Sequence, residues 1–308
     1  MTTPLSLALE YFHPWPNSAG FYIARDRGWY AEAGIDLQIR TVDPGIGDSL
    51  EHIRRELVDL AVFPTNRLLV RAERGEPLQV IAAVNQRGLE TIRTLADNGI
   101  ETLADLTGRR LALNPTPRGV ALVRDLVRDA GGDPDAVTLV DVGVRELTSA
   151  ELAAGVADAT FGSYWAWDIL LTEHPDRPER VWRVDDHLPF GYHSYLLGAH
   201  TRVAEQNPVL LRDFRDVTDR GFRHAARHPD EAVALLGGIT PYFPDHVIAR
   251  SLEAIAPTWF HEGSWGTVRP ELVEPYARWL AGHGILSAPD RWESAFADSS
   301  FAKTAQSL

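Results

Sequence analysis

Ser163-Tyr164-Trp165-Ala166-Trp167-Asp168 sets three rings and a carboxylate within six residues. Such a segment could stack a planar ligand, and Asp168 could accept hydrogen bonds from an amino group or a protonated ring nitrogen. Core packing competes for the rings, because Tyr164, Trp165 and Trp167 cannot all face one way on a single element. Asp168, at a helix start, could equally be a plain cap. A second segment, Asn114-Pro115-Thr116-Pro117-Arg118-Gly119, precedes a helical run from Val120 to Ala130. A helix N-terminus offers free N–H groups and about half a positive charge, so it suits an anion, with Thr116 and Arg118 as added donors. The alternative is a turn with a solvated arginine.

Three further stretches could line the same site. Pro64-Thr65-Asn66 reads as a loop between a strand and a helix, and Asn66 can both donate and accept. Tyr192-His193 stands where the chain starts a strand; His193 could read an anion or simply satisfy a backbone carbonyl. The loop His13-Pro14-Trp15-Pro16-Asn17 joins a bulky aromatic to two prolines, so Trp15 and Asn17 could form a stiff wall. Packing of Trp15 under a turn accounts for the same residues. Metal binding has little support, since His224 and His228 share a helical i, i+4 face without a third ligand nearby.

Alternating elements must position these residues. Leu5 to Leu9 reads as a buried strand, Ser18 as the cap of a helix reaching Gly28, and Ile35 to Ile39 as a strand with one solvated face. A helix from Gly45-Ile46-Gly47-Asp48 to about Leu57, a strand Leu60 to Phe63, a helix ending at Gly75 and a strand Leu78 to Val84 follow. Beyond them come a helical turn Leu103 to Leu106, strands at Arg110 to Leu113, Val137 to Val142, Ala159 to Gly162 and Tyr192 to Leu197, and helices after Asn207. This order predicts an α/β protein with doubly wound sheets. Glu56-Leu57-Val58-Asp59 before one strand is echoed by Gly155-Val156-Ala157-Asp158 before another, a weak internal likeness between two halves. In open sheets of this kind, ligands bind at the carboxyl ends of the strands, where the His13 to Asn17 loop is expected to fall.

Composition narrows the class. A chain of 308 residues exceeds one ordinary core, so two lobes are expected. The boundaries fall at 1–88 with 192–308 for the first lobe and 89–191 for the second, with hinges near 86–93 and 188–195. Net charge is −13, which argues against a phosphate-tracking surface and so against a nucleic-acid partner. There is no cysteine, which excludes disulfides, thiolate metal sites and cysteine nucleophiles. No apolar run approaches a membrane span. The opening MTTPLSLALEYF carries no export signal, so the chain as written is expected in the cytoplasm, or outside it if a leader has been trimmed.

The runs Trp15 to Ala24, Gly28-Trp29-Tyr30-Ala31-Glu32-Ala33-Gly34-Ile35-Asp36-Leu37, Val58-Asp59-Leu60-Ala61, Arg71 to Leu78 and Leu103 to Leu111 resemble a known family. So do Leu280 to Leu286 and Trp292 near the tail. The family is that of solute-binding proteins for thiamine-pyrimidine precursors, aliphatic sulfonates and taurine. The resemblance implies a type II periplasmic-binding-protein fold of two lobes with a helical C-terminal extension. It also implies a small ligand in the interlobe cleft, no cofactor, and an ABC permease as partner. Enzymes share the fold. The pyrimidine synthase's lysine falls on Phe63 and its histidine on Arg67, its cysteine segment on Leu188 to Tyr192, and the desulfinase nucleophile is a cysteine; this chain matches none of them. The expected ligand is a planar nitrogen heterocycle, with or without an anionic group. A cytoplasmic enzyme on the same fold, drawing on Asp168, His193, His13 or Glu262, is the alternative.

Overall fold

A computed structural model describes residues 2–10, 14–145, 147–171 and 177–296. The chain divides into two compact units, Met1–Arg87 with Tyr192–Leu308, and Gly88–Gly191.

The first unit holds strands β1 (Thr3–Leu9), β2 (Ile35–Thr41), β3 (Leu60–Pro64) and β4 (Leu78–Ala83). The second holds β5 (Glu90–Leu95), β6 (Arg110–Leu113), β7 (Thr138–Asp141), β8 (Ala159–Tyr164) and β9 (Glu179–Arg183), and β10 (Tyr195–His200) returns to the first. The sheet orders are β2-β1-β3-β10-β4 and β7-β6-β8-β5-β9. Strands β1, β2 and β3 run parallel and β10 opposes β3 and β4. In the second sheet β6, β7 and β8 run parallel while β5 opposes β8 and β9. The two sheets therefore share one plan, in which the fourth position is filled by an antiparallel strand next to the point where the chain changes unit.

Burial follows how a strand is covered rather than its place in the sheet. The inner strand β3 and the edge strand β4 are both buried at every residue, as strands covered on both faces must be. The outer strand β2 starts with buried and exposed residues alternating. One core face of the first sheet gathers Ala8, Ala61, Phe63, Val80 and Leu196 against Leu50, Ile53 and Leu68 from helices. The second sheet repeats this on a smaller scale with Leu95, Ala112, Leu147, Leu152 and Ala157.

The halves' sequence echo has a bonding cause. In the first unit Asp59 Oδ2 accepts from the Ser6 backbone N–H at 2.8 Å and the Ser6 hydroxyl at 2.6 Å. In the second, Asp158 Oδ2 accepts from the Arg110 backbone N–H at 2.8 Å, and Oδ1 from the guanidinium at 2.9 Å. Each aspartate stands just before the last of the three parallel strands of its sheet, β3 or β8, and accepts from a backbone N–H of the first of them, β1 or β6.

Several element boundaries differ from the sequence reading. No loop separates β3 from its helix: the strand ends at Pro64 and the helix Thr65–Glu73 begins at once. The helix expected from Val120 starts at Pro117, whose missing N–H costs nothing at a first turn. The helix expected to reach Leu57 is Ser49–Arg54. Strand β10 starts at Tyr195 rather than Tyr192. Ser18 gives no side-chain cap and instead donates to the Trp15 carbonyl at 2.7 Å. Strand β9 and a short hairpin, β11 (Phe260–His261) with β12 (Ser264–Trp265), were not legible as strands. Among the described residues no helix is long and apolar enough to cross a membrane.

Candidate functional site

At the carboxyl end of β1 the chain presents Glu10. Its Oε1 accepts from Arg67 Nη1 at 2.5 Å and its Oε2 lies 2.6 Å from the Ser49 hydroxyl. Ser49 is also 2.8 Å from the Val62 carbonyl, and with one hydrogen it can donate to only one of the two. Burial pushes the Glu10 carboxyl above its ordinary value, and the Arg67 charge opposes this. Glu10 shares a pocket with Trp15, Asn17, Phe21, Val62 and Tyr195. Its cavity is about 20 Å³, room for a single water.

Trp15 is 4% exposed. The indole is therefore packed, and it also lines this pocket, so both sequence readings of Trp15 meet in one residue. His13, in the same loop, lies outside the described residues.

Behind the pocket is a buried amide network. Asn17 Nδ2 donates to Asn85 Oδ1 at 3.1 Å, and Asn85 Nδ2 donates back to Asn17 Oδ1 at 2.8 Å and to Thr258 Oγ1 at 2.8 Å. Trp259 Nε1 donates to Asn17 Oδ1 at 2.9 Å. His193 is fully buried; its Nδ1 lies 2.8 Å from the Asn85 carbonyl and its Nε2 accepts from the Arg269 backbone N–H at 3.0 Å. These bonds assign the neutral Nδ1–H tautomer. Burial pushes the imidazole down to about 4. The Thr65 hydroxyl donates to the His193 carbonyl at 2.6 Å, and Tyr192 is buried and stacked on Tyr276 with ring centres 4.7 Å apart. Thr65, Tyr192 and His193 are thus structural supports in this structure, not free ligand contacts. Pro64 is buried at the end of β3. Asn66 lines a different, charged pocket with Asp48, Glu51, Arg71 and Glu76.

The second unit assembles charges instead. Thr116 caps the helix Pro117–Asp129 by accepting from the Gly119 N–H at 3.1 Å. Asn114 is exposed and Gly119 is buried. Arg118 donates to Glu90 Oε1 at 2.6 Å, so a carboxylate of the same unit already meets its charge. Asp168 is neither a cap nor a free acceptor: its Oδ2 lies 3.2 Å from Arg93 Nε and accepts from Thr91 Oγ1 at 3.2 Å. Arg93 is 2% exposed and also meets Glu179 at 3.0 Å and the Leu147 carbonyl at 2.6 Å. Tyr164 ends β8 half-buried, and Trp167 is buried in the following helix. The side chain of Trp165 lies outside the described residues. Among those residues no cluster of three or more His, Asp or Glu is placed to hold a metal.

Sequence reasoning missed Glu10, Asn85, Trp259, Glu90 and Arg93. Glu10 follows the first strand at its carboxyl end, which left a local trace, whereas Arg93 stands in ETIRTL, a mixed segment that does not mark it out. Asn85 and Trp259 left none, because their meaning comes from partners far away in the chain.

This fold and site can be set beside known proteins. The family model described as NMT1/THI5 like matches residues 15–232, and the chain belongs to that family. A formylaminopyrimidine-binding protein of Halalkalibacterium halodurans is 25% identical over 280 residues, 89% of this chain and 84% of that protein. A 4-amino-5-hydroxymethyl-2-methylpyrimidine phosphate synthase of Legionella pneumophila is 25% identical over 224 residues, 72% of this chain and 69% of that one. The crystal structure of the periplasmic aliphatic sulphonate binding protein SsuA from Escherichia coli superposes with a TM-score of 0.71 at 17% identity, covering 93% of this chain and 89% of that chain. The fold is that of the periplasmic binding proteins.

Proposed function

We propose that this protein is a solute-binding protein whose ligand is a small planar amino-heterocycle of the thiamine-pyrimidine-precursor class, handed on to an ABC permease. The observation that carries the ligand class is Glu10, a largely buried carboxylate beside the Trp15 indole in an otherwise mostly apolar pocket. Arg67 and Ser49 occupy part of its acceptor capacity and hold its orientation. The remaining lone pairs suit an exocyclic amino group or a protonated ring nitrogen, and a sulfonate at the same place would meet like charge. The cavity is water-sized, so the ring lies across its opening and presents its amino edge to Glu10. In the second unit Arg118 is matched by Glu90, which also lowers the attraction for an anion there. The formylaminopyrimidine-binding relative supports the same ligand class. Binding rather than synthesis is favoured by Phe63 and Arg67, which stand where the resemblance places the synthase's lysine and histidine. Phe63 is a core ring packed so closely on Gly198 that a Cβ there would lie 2.7 Å from it.

Calorimetric titration with 4-amino-5-hydroxymethyl-2-methylpyrimidine and with short alkanesulfonates tests the reading. The pyrimidine is expected to bind, and Glu10→Gln to weaken it roughly tenfold through loss of a charge-assisted hydrogen bond. Sulfonates binding while the pyrimidine does not, or tighter pyrimidine binding by Glu10→Gln, would sink it.

A further inference from the structure

One residue joins the pocket to both places where the chain changes unit. Asn85 is fully buried. Its side chain exchanges two hydrogen bonds with Asn17, which lines the pocket with Glu10 and Trp15. Its backbone carbonyl bonds the His193 ring at 2.8 Å. Asn85 stands just before Arg87, where the chain leaves the first unit, and His193 just after Tyr192, where it returns. Both passages are also tied to the C-terminal segment. Gln86 donates its backbone N–H to the Thr258 carbonyl at 2.6 Å and its side-chain amide to the Thr267 carbonyl at 2.9 Å, while the Arg269 N–H bonds His193.

A reciprocal amide pair is directional at both ends. If Asn17 moves, Asn85 must follow or leave buried donors and acceptors unmatched. Asn85 in turn cannot move without disturbing the bonds to Thr258 and His193. Resting on the ligand reading above, we propose that Asn85 is a positioning residue that transmits occupancy of the Glu10–Trp15 pocket, through Asn17, to the two passages of the chain at Asn85 and His193.

Nuclear magnetic resonance of the full ¹⁵N-labelled chain tests this through the Trp259 indole, which bonds Asn17, and the His193 ring. In the native sequence 4-amino-5-hydroxymethyl-2-methylpyrimidine is expected to shift both signals. In Asn85→Ala it should still shift Trp259, bind roughly tenfold more weakly and leave His193 in place. Asn17→Ala provides an arm that needs no ligand. It should move the His193 signals in the native background and leave them unmoved when combined with Asn85→Ala. If the pyrimidine moves neither signal, the ligand reading fails, and the Asn17→Ala arm still decides the coupling. A His193 response to Asn17→Ala that persists unchanged without the Asn85 side chain, or is missing from the native background, overturns the proposal. Should Asn85→Ala fail to fold, Asn85→Leu keeps most of the volume while removing every side-chain hydrogen bond, and the same comparison is made in it.

Discussion

The two units solve one folding problem identically and one chemical problem differently. Each builds the same strand order, and each locks the first of its three parallel strands with an aspartate set before the last of them, Asp59 in one and Asp158 in the other. Their buried polar groups then diverge. The first unit relies on neutral partners, Asn17, Asn85, Thr258 and His193, with Glu10 as the carboxylate of its pocket. The second relies on ion pairs, Arg93 with Asp168 and Glu179, and Arg118 with Glu90. Backbone groups must be satisfied in any copy of the fold, so that device is repeated. Side chains beyond the strand ends are under no such constraint and can be given over to recognition.

Breaking the charged network should give the largest effect. Arg93→Met leaves Asp168 and Glu179 buried without their cation, and is expected to cost about 3 to 5 kcal/mol, read from the urea midpoint. Replacing all three by apolar residues of similar volume should restore most of that loss, because the penalty comes from the orphaned charges rather than from the pair itself. In the first unit, Trp15→Ala removes a buried indole and is expected to cost about 3 to 5 kcal/mol, together with weaker ligand binding. A midpoint close to the native value would mean that Trp15 is a projecting platform after all.

Why Trp15 had two readings in the sequence is instructive. A Pro-Trp-Pro turn fixes the backbone, yet says nothing about which neighbours close over the ring. The alternation of elements was legible because periodicity and Gly/Pro punctuation are local: β1, β2, β3, β4 and β6 fall close to where the pattern puts them. Strand β9 was not, since ERVWR mixes charges with apolar residues on an edge strand beside β5. The candidate site was half legible. Residue types pointed to Asn17, Thr65, His193, Arg118 and Asp168, and the structure gives each of them a partner within the protein. Their partners decide whether they face a ligand or one another, and Asn85, Trp259, Arg93 and Glu90 come from remote segments. A lone polar residue in a sequence carries no mark of its own satisfaction.

The neutral network has a pH signature. His193 is held at about 4, below the ordinary 6.5, chiefly by burial. Between those values the unfolded chain binds a proton that the folded chain does not, so stability falls as pH drops through this window and is fully present above about 6.5. The loss should approach about 3 kcal/mol by pH 4. His193→Gln should flatten this limb of the stability profile. A native profile without the limb would show that the ring is protonated in place.

The two aspartate locks should respond alike. Asp59→Ala and Asp158→Ala each remove an acceptor from a first-strand N–H, and each is expected to cost about 1 to 3 kcal/mol. Hydrogen exchange at Ser6 and Arg110 should speed up selectively in the matching variant. Strongly unequal losses would mean that the Arg110 guanidinium, which also bonds Asp158, contributes more than the backbone bond common to both.

The smallest effect lies at the turn before each lock, where Glu56 has φ 55° and Gly155 has φ 76°. Both are left-handed, a conformation that costs a residue with a side chain roughly 1 to 2 kcal/mol and glycine almost nothing. Space is not the issue at Gly155, since a Cβ there would meet no atom within 4 Å. Gly155→Glu should therefore destabilise by about 1 kcal/mol through the backbone alone. Glu56→Gly removes the strain but also loosens the unfolded chain and gives up an exposed ion pair with Arg202, worth less than about 1 kcal/mol. The net change should stay within about 0.5 kcal/mol of zero. Measured side by side by thermal unfolding, the two substitutions should be unequal in size. If Glu56→Gly instead destabilises as much as Gly155→Glu, then the Glu56 contacts with Arg202 and His200 hold the turn, and the first unit has found its own way to bear a strain that the second avoids with glycine.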